Sequence, residues 1–130
     1  MNDLFESFLK SDDTLWVLKV NTPIFQSKKE GIASLLDYIE KFSPCTDDVT
    51  VFDRVVGNAA ALLLEKMRCR KIYSRIGSRY ALETLNRYGI PRYFVKVVPY
   101  IFNRKRDGMC PFEELSIGKS PDEFYKSIIG

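Results

Sequence analysis

Apolar and polar positions along this chain switch between a helical period and a strand period. In NDLFESFLKS, Leu4, Phe5, Phe8 and Leu9 recur at helical spacing, which predicts a short amphipathic helix ended by Ser11-Asp12-Asp13. TLWVLKV is rich in strand formers, and Asn21-Thr22-Pro23 separates it from IFQS, so the two read as an antiparallel hairpin. In KKEGIASLLDYIEKF, Ile32, Leu35, Leu36 and Ile39 share one stripe, a second helix. SPCTDD is a loop. VTVFDRVVGNAAALLLEKM then carries the most apolar helix. From Ala59 to Leu64 it is apolar on nearly every face, which places it in the interior, and small residues from Gly57 to Ala61 let it lie close to a sheet.

RKIYSRI reads as a strand and SRYALETLNRY as a helix with Ala81, Leu82 and Leu85 inward, Gly89 suiting the position just past its end. PRYFVKVV is the next strand. Strand, helix and strand within about 30 residues make a βαβ unit, so Lys71–Ile76 and Arg92–Val98 are expected to run parallel. PYIFNRKRDGMCPFEELSIGK reads largely as loop. In SPDEFYKSIIG, Ser120 is a helix cap, Pro121 suits the first helical position and Glu123 completes a capping box. The whole is one α/β domain over residues 1–130. Its mixed sheet joins an antiparallel N-terminal hairpin to parallel βαβ strands, with helices on both faces.

Composition narrows the function classes. A net charge of +3 is too small to imply a polyanionic partner by itself, so local clusters matter more. Three scattered cysteines, Cys45, Cys69 and Cys110, with no C-x-x-C, argue against a disulfide framework and for a reducing cytoplasm. The N-terminus is acidic where a secretory signal is basic, and no apolar run reaches membrane-spanning length. The most informative count is the absence of histidine. It removes the Ser-His-Asp triad, the Cys-His pair and every histidine-based zinc motif. No metal and no cofactor is expected.

Three stretches then carry candidate chemistry. In the first, Ile76-Gly77-Ser78-Arg79 joins a strand to a helix. Helix N–H groups with Ser78 and Arg79 suit an anion or nucleotide, and Ser78 alone suits an ordinary N-cap. In the second, FDRVVGNAAA, Asp53 and Asn58 are polar residues at a buried helix start. Asp53 either serves a ligand or caps the helix, and Gly57 permits close packing. The third, NRKRDGMCPFEE, sets Asn103, Arg104 and two further cations before Cys110, Pro111, Glu113 and Glu114. Cys110 there reads either as a nucleophile beside cations, with Glu113 as base, or as a structural thiol. Arginines and tyrosines are also interleaved from Arg68 to Tyr93, a pattern that single-stranded nucleic acid exploits. With no RNA-binding motif, they read as half-buried tyrosines and wetted arginines, and a nucleic-acid partner is not expected.

IYSRIGSRYALETLNRYGIPRYF resembles the frame of zinc-dependent cytidine deaminases, a strand, T-x-E-P-C-x-x-C, a helix, then GI and a strand. Ser78 falls at the first cysteine and Ala81 at the second. VVGNAAAL resembles the helix start that bears H-A-E, which puts Val56 at the histidine and Asn58 at the glutamate. The helix around Gly31–Phe42 has no place in that pattern. DRVVGNAAALL, IYSRIGSRYALETLNRYGI and VPYIFNRKRDGMCPFEE more closely resemble a prokaryotic family of unknown function with a cytidine-deaminase-like fold and no zinc ligands. That resemblance implies a three-layer α/β/α fold. Deamination needs zinc-activated water and a glutamate, and the matching positions supply neither.

The expectation is therefore a cytoplasmic, metal-free, deaminase-like protein. A nucleotide-type ligand would lie among Asp53, Gly57, Asn58, Ser78, Arg79, Asn103 and Arg104. One alternative is a transferase or hydrolase working through Cys110 or a carboxylate such as Glu113. Another is an interaction module with a vestigial pocket. The fold class admits a homodimer, and no membrane partner is expected.

Overall fold

The central strand of the molecule is one that hydropathy alternation does not reveal. In the computed structural model, which describes residues 3–129, β3 (Val49–Val56) lies in the middle of a five-stranded sheet of order β2-β1-β3-β4-β5. The sequence pattern assigned VTVFDRVV no strand of its own. The reason is burial on both faces. Val49, Val51, Phe52, Asp53 and Val56 are all buried, so the period-two signal of a half-exposed strand is lost.

β1 (Leu15–Lys19) and β2 (Thr22–Ser27) form the expected hairpin, and β1 also pairs antiparallel with β3. β4 (Cys69–Ser78) runs parallel to β3, and β5 (Arg92–Val98) parallel to β4, as the βαβ pattern requires. The sheet is thus mixed, with its antiparallel half at the hairpin side.

Helices cover the two faces unequally. α1 (Asp3–Lys10) packs on one face, where Phe5 and Phe8 join Leu18 and Phe52 in a small cluster flanked by Trp16 and Tyr73. Arg54 fastens it. Its guanidinium donates to the carbonyls of Phe8, Ser11 and Asp13 at 3.1, 2.6 and 2.8 Å, supplying acceptors' partners that a helix end otherwise lacks. The main core lies on the opposite face with α2 (Ala33–Phe42), α3 (Asn58–Lys66), α4 (Arg79–Arg87) and α6 (Pro121–Ile129). α3 is buried from Asn58 through Leu64, in keeping with its all-round apolar sequence.

Two boundaries differ from the sequence expectation. β4 does not turn at Ile76-Gly77 but continues to Ser78, with Gly77 paired to Val56 on one side and Val97 on the other. The glycine is required by packing, because a methyl there would lie 2.1 Å from Cε2 of Phe94. A short helix, α5 (Pro111–Ser116), stands in the stretch read as loop. Six residues are too few for a helical period to register. The capping box of α6 forms as expected, with Ser120 N–H donating to Glu123 Oε1 at 2.9 Å and Glu123 N–H to Ser120 Oγ at 3.2 Å.

Candidate functional site

The carboxyl ends of β3 and β4, the starts of α3 and α4, and the segment from Ile101 to Ser116 meet at one end of the sheet. Ligands in open α/β sheets bind at such ends. A cavity of about 100 Å³ lies there, walled by Asp53, Gly57, Ala59, Ile101, Cys110 and Glu113 among others. It opens past Gly31, Ile32, Cys110 and Phe112, which also line a groove of about 680 Å³ bordered by Asn103, Arg104 and Lys105. Cys110 therefore stands at the junction of the two spaces.

Asp53 is the most perturbed group in the cavity wall. Strand alternation sends it to the cavity side and its neighbour Arg54 to the α1 side. It is 7% exposed, and burial pushes its carboxyl up to about 7. The N–H groups of Arg54, at 2.7 Å, and Val55 oppose that rise. A carboxyl poised there either donates or accepts a hydrogen bond near neutral pH. Gly57, the N-cap of α3, has no side chain to offer the next amides, and Ala59 and Ala60 line the same cavity.

Glu113 occupies the start of α3. Its Oε1 accepts from the Asn58 N–H at 2.5 Å and its Oε2 from the Ile101 N–H at 2.7 Å. The carboxylate thus sits where the helix dipole favours an anion. Gly57 makes room for it, since a methyl there would lie 2.9 Å from Glu113 Oε1 and 2.9 Å from Ile101 Cγ1. The Asn58 side chain is equally engaged. Its Nδ2 donates to Ser116 Oγ at 3.0 Å, its Oδ1 accepts from Thr84 Oγ1, and Ser116 Oγ donates to the Glu113 carbonyl at 2.7 Å. Asn58 and Glu113 so tie α3 to α4, α5 and the loop after β5.

The remaining candidates are dispersed. Ser78 is completely buried, and its hydroxyl accepts from Ala81 N–H at 3.0 Å as the N-cap of α4. Arg79 is exposed and lines neither space. Asn103 shapes its own turn, donating to Asp107 Oδ1 at 2.8 Å and accepting from the Asp107 N–H at 3.2 Å. Arg104 is almost fully exposed on the groove rim, 3.7 Å from Glu30. Three participants escaped the sequence reading. Thr84 and Ile101 carry no sequence signal, whereas Ser116 lies three residues beyond Glu113, on the same face of a short helix. Among the described residues no three carboxylates or thiols converge as a metal site. Nor is any helix long and apolar enough to cross a membrane.

Residues 5–129 match the family described as TM1506, a domain of unknown function (DUF1893). The chain belongs to the DUF1893 family. The match spans all five strands, so the cavity and its rim lie within the DUF1893 domain. The solved structure of a DUF1893 family protein, TM1506 from Thermotoga maritima, is similar over 97% of this chain and 85% of that one, at 28% identity and a TM-score of 0.87. The DUF1893 backbone is therefore shared well beyond the site. No curated protein matches the chain.

Proposed function

We propose that this DUF1893 chain binds a nucleotide-type ligand on a cytidine-deaminase-like, three-layer α/β/α frame. The ring lies in the cavity against Asp53, and the remainder runs past Cys110 into the groove below Arg104 and Lys105. The observation that carries this reading is Asp53, a buried carboxyl raised to about 7 in the wall of a cavity. A ring edge with paired donor and acceptor groups matches the protonated carboxyl, which donates one hydrogen bond and accepts another, while the ionised form accepts from the donor alone. The groove is of ligand size, since small-molecule sites span roughly 300–1,000 Å³. Three unpaired cysteines favour a cytoplasmic location.

Calorimetric titration with a panel of nucleosides and nucleotides tests the proposal. Saturable binding that weakens at least tenfold in Asp53→Ala supports it. Absence of heat and of any thermal shift across the panel overturns it.

Cys110 supports a second reading, a transfer or hydrolysis through its thiol, because it borders both spaces. Iodoacetamide labelling against pH decides this. A rate no faster than that of a free thiol, together with full turnover of any substrate found by Cys110→Ser, excludes the thiol mechanism.

A further inference from the structure

Charge is distributed very unevenly along this chain. Eleven of its twenty Lys and Arg residues lie between positions 68 and 106, together with one of its seventeen Asp and Glu residues, Glu83. The rest of the chain is net acidic. The basic interval is β4, α4, β5 and the loop that follows, so the cations gather on one half of the sheet. Arg68 and Arg70 are spent on Asp48, and Arg104 faces Glu30. The other eight are all exposed and have no ion pair among the described residues.

The same region carries exposed apolar and aromatic side chains. β5 is the open edge of the sheet, and its Tyr93, Val95 and Val97 are 37%, 55% and 45% exposed. The parallel register sets Tyr93 beside Tyr73, with ring centroids 6.1 Å apart. Lys71 Nζ lies 4.8 Å above the Tyr73 ring. α1 meets this face at Phe5, whose ring lies 6.2 Å from that of Tyr93. Beyond it Arg75 and Val95 stay open.

We propose that the β4–β5 half of the sheet binds single-stranded nucleic acid. Exposed cations pair with the backbone phosphates, and Tyr93 offers a stacking face to an unpaired base. As separate sequence positions these arginines and tyrosines look scattered. The register of β4 and β5 brings Lys71, Tyr73, Arg75 and Tyr93 onto one face, with Arg92 and Lys96 on the other face of the same open edge. A second copy related by two-fold symmetry through this surface fits poorly, because it sets cation against cation. A duplex supplies phosphates but keeps its bases stacked. An anionic lipid surface is normally met by an amphipathic helix, whereas the exposed apolar residues here stand on a strand.

Fluorescence anisotropy of the intact protein with a short labelled oligo(dT) tests the proposal. Parallel arms use a duplex of equal length and phosphatidylserine vesicles. We expect the single strand to bind most tightly, with affinity falling by tens of fold between about 50 and 200 mM salt. Tyr93→Leu keeps an apolar contact for Phe5 and is expected to cost roughly tenfold, while Tyr93→Phe retains affinity. Lys71→Glu with Arg75→Glu abolishes binding, and Lys126→Glu, outside the region, leaves it unchanged. No binding at low salt overturns the proposal. So does equal binding of the duplex with no effect of Tyr93→Leu, and so does binding to vesicles alone.

Discussion

Glu113 bridges the Asn58 N–H and the Ile101 N–H, one with each carboxylate oxygen. A single side chain therefore joins the start of α3 to the loop after β5 at the wall of the cavity. Glu113→Gln keeps the shape but turns an amide NH₂ toward one of these N–H groups. A buried donor left without its partner costs about 1–3 kcal/mol. Urea unfolding should lose about 2 kcal/mol, and the Ile101 amide should exchange faster. An unmoved urea midpoint means that the two amides are satisfied without the carboxylate.

Gly77 and Phe94 form a second tight relationship. Gly77→Ala places a methyl 2.1 Å from the Phe94 ring, so the ring must leave its position or the strands must part. Overpacking of this kind costs about 1–3 kcal/mol. Combining it with Phe94→Leu should recover part of the loss, which a double-mutant cycle reads as a coupling between the two sites. Simple additivity means that the ring is not what excludes the methyl.

The pH dependence of stability should carry the signature of Asp53. Its carboxyl stands at about 7 in the folded chain, against an ordinary value of 3.8. Between these pH values the folded state holds a proton that the unfolded chain gives up. The stabilising contribution is complete below pH 4, falls as pH rises through about 7, and is then flat. The whole change amounts to about 4 kcal/mol at most. Asp53→Asn should flatten this slope and be more stable than the parent above pH 7, as measured by thermal unfolding across a pH series. Parallel pH curves for parent and variant rule out the shift.

Arg54 is the fastening of α1. Arg54→Lys retains the charge, but an ammonium cannot span carbonyls as separated as those of Phe8, Ser11 and Asp13. A loss of about 2 kcal/mol is expected, with hydrogen exchange rising selectively over residues 3–13. Exchange that rises evenly over the chain instead points to a general loss of stability.

What was legible in the sequence followed from patterns that one segment carries by itself. The hairpin, the helical stripe at Ile32–Ile39, the parallel βαβ pair and the Ser120–Glu123 box are all local signals. β3 was hidden because a strand buried on both faces loses its alternation. Gly77 looked like a turn residue because its reason for being glycine, the Phe94 ring, lies on another strand. The site was legible in part. Asp53, Gly57, Cys110 and Glu113 gather at one cavity, yet the meeting of Glu113 with Asn58 spans 55 positions and no local rule anticipates it. Ser78 drew notice as a potential ligand contact, and its sealed hydroxyl faces its own helix.

Asp53 and Arg54 are consecutive, and the Arg54 N–H donates to the Asp53 carboxyl. One peptide unit therefore carries the cavity's acid on one side of the sheet and the anchor of the N-terminal helix on the other. The two stand at adjacent positions on opposite faces of β3. A ligand that displaced Asp53 would act on the same backbone that holds α1. A spectroscopic label on that helix, remote from the cavity, would then report its occupancy.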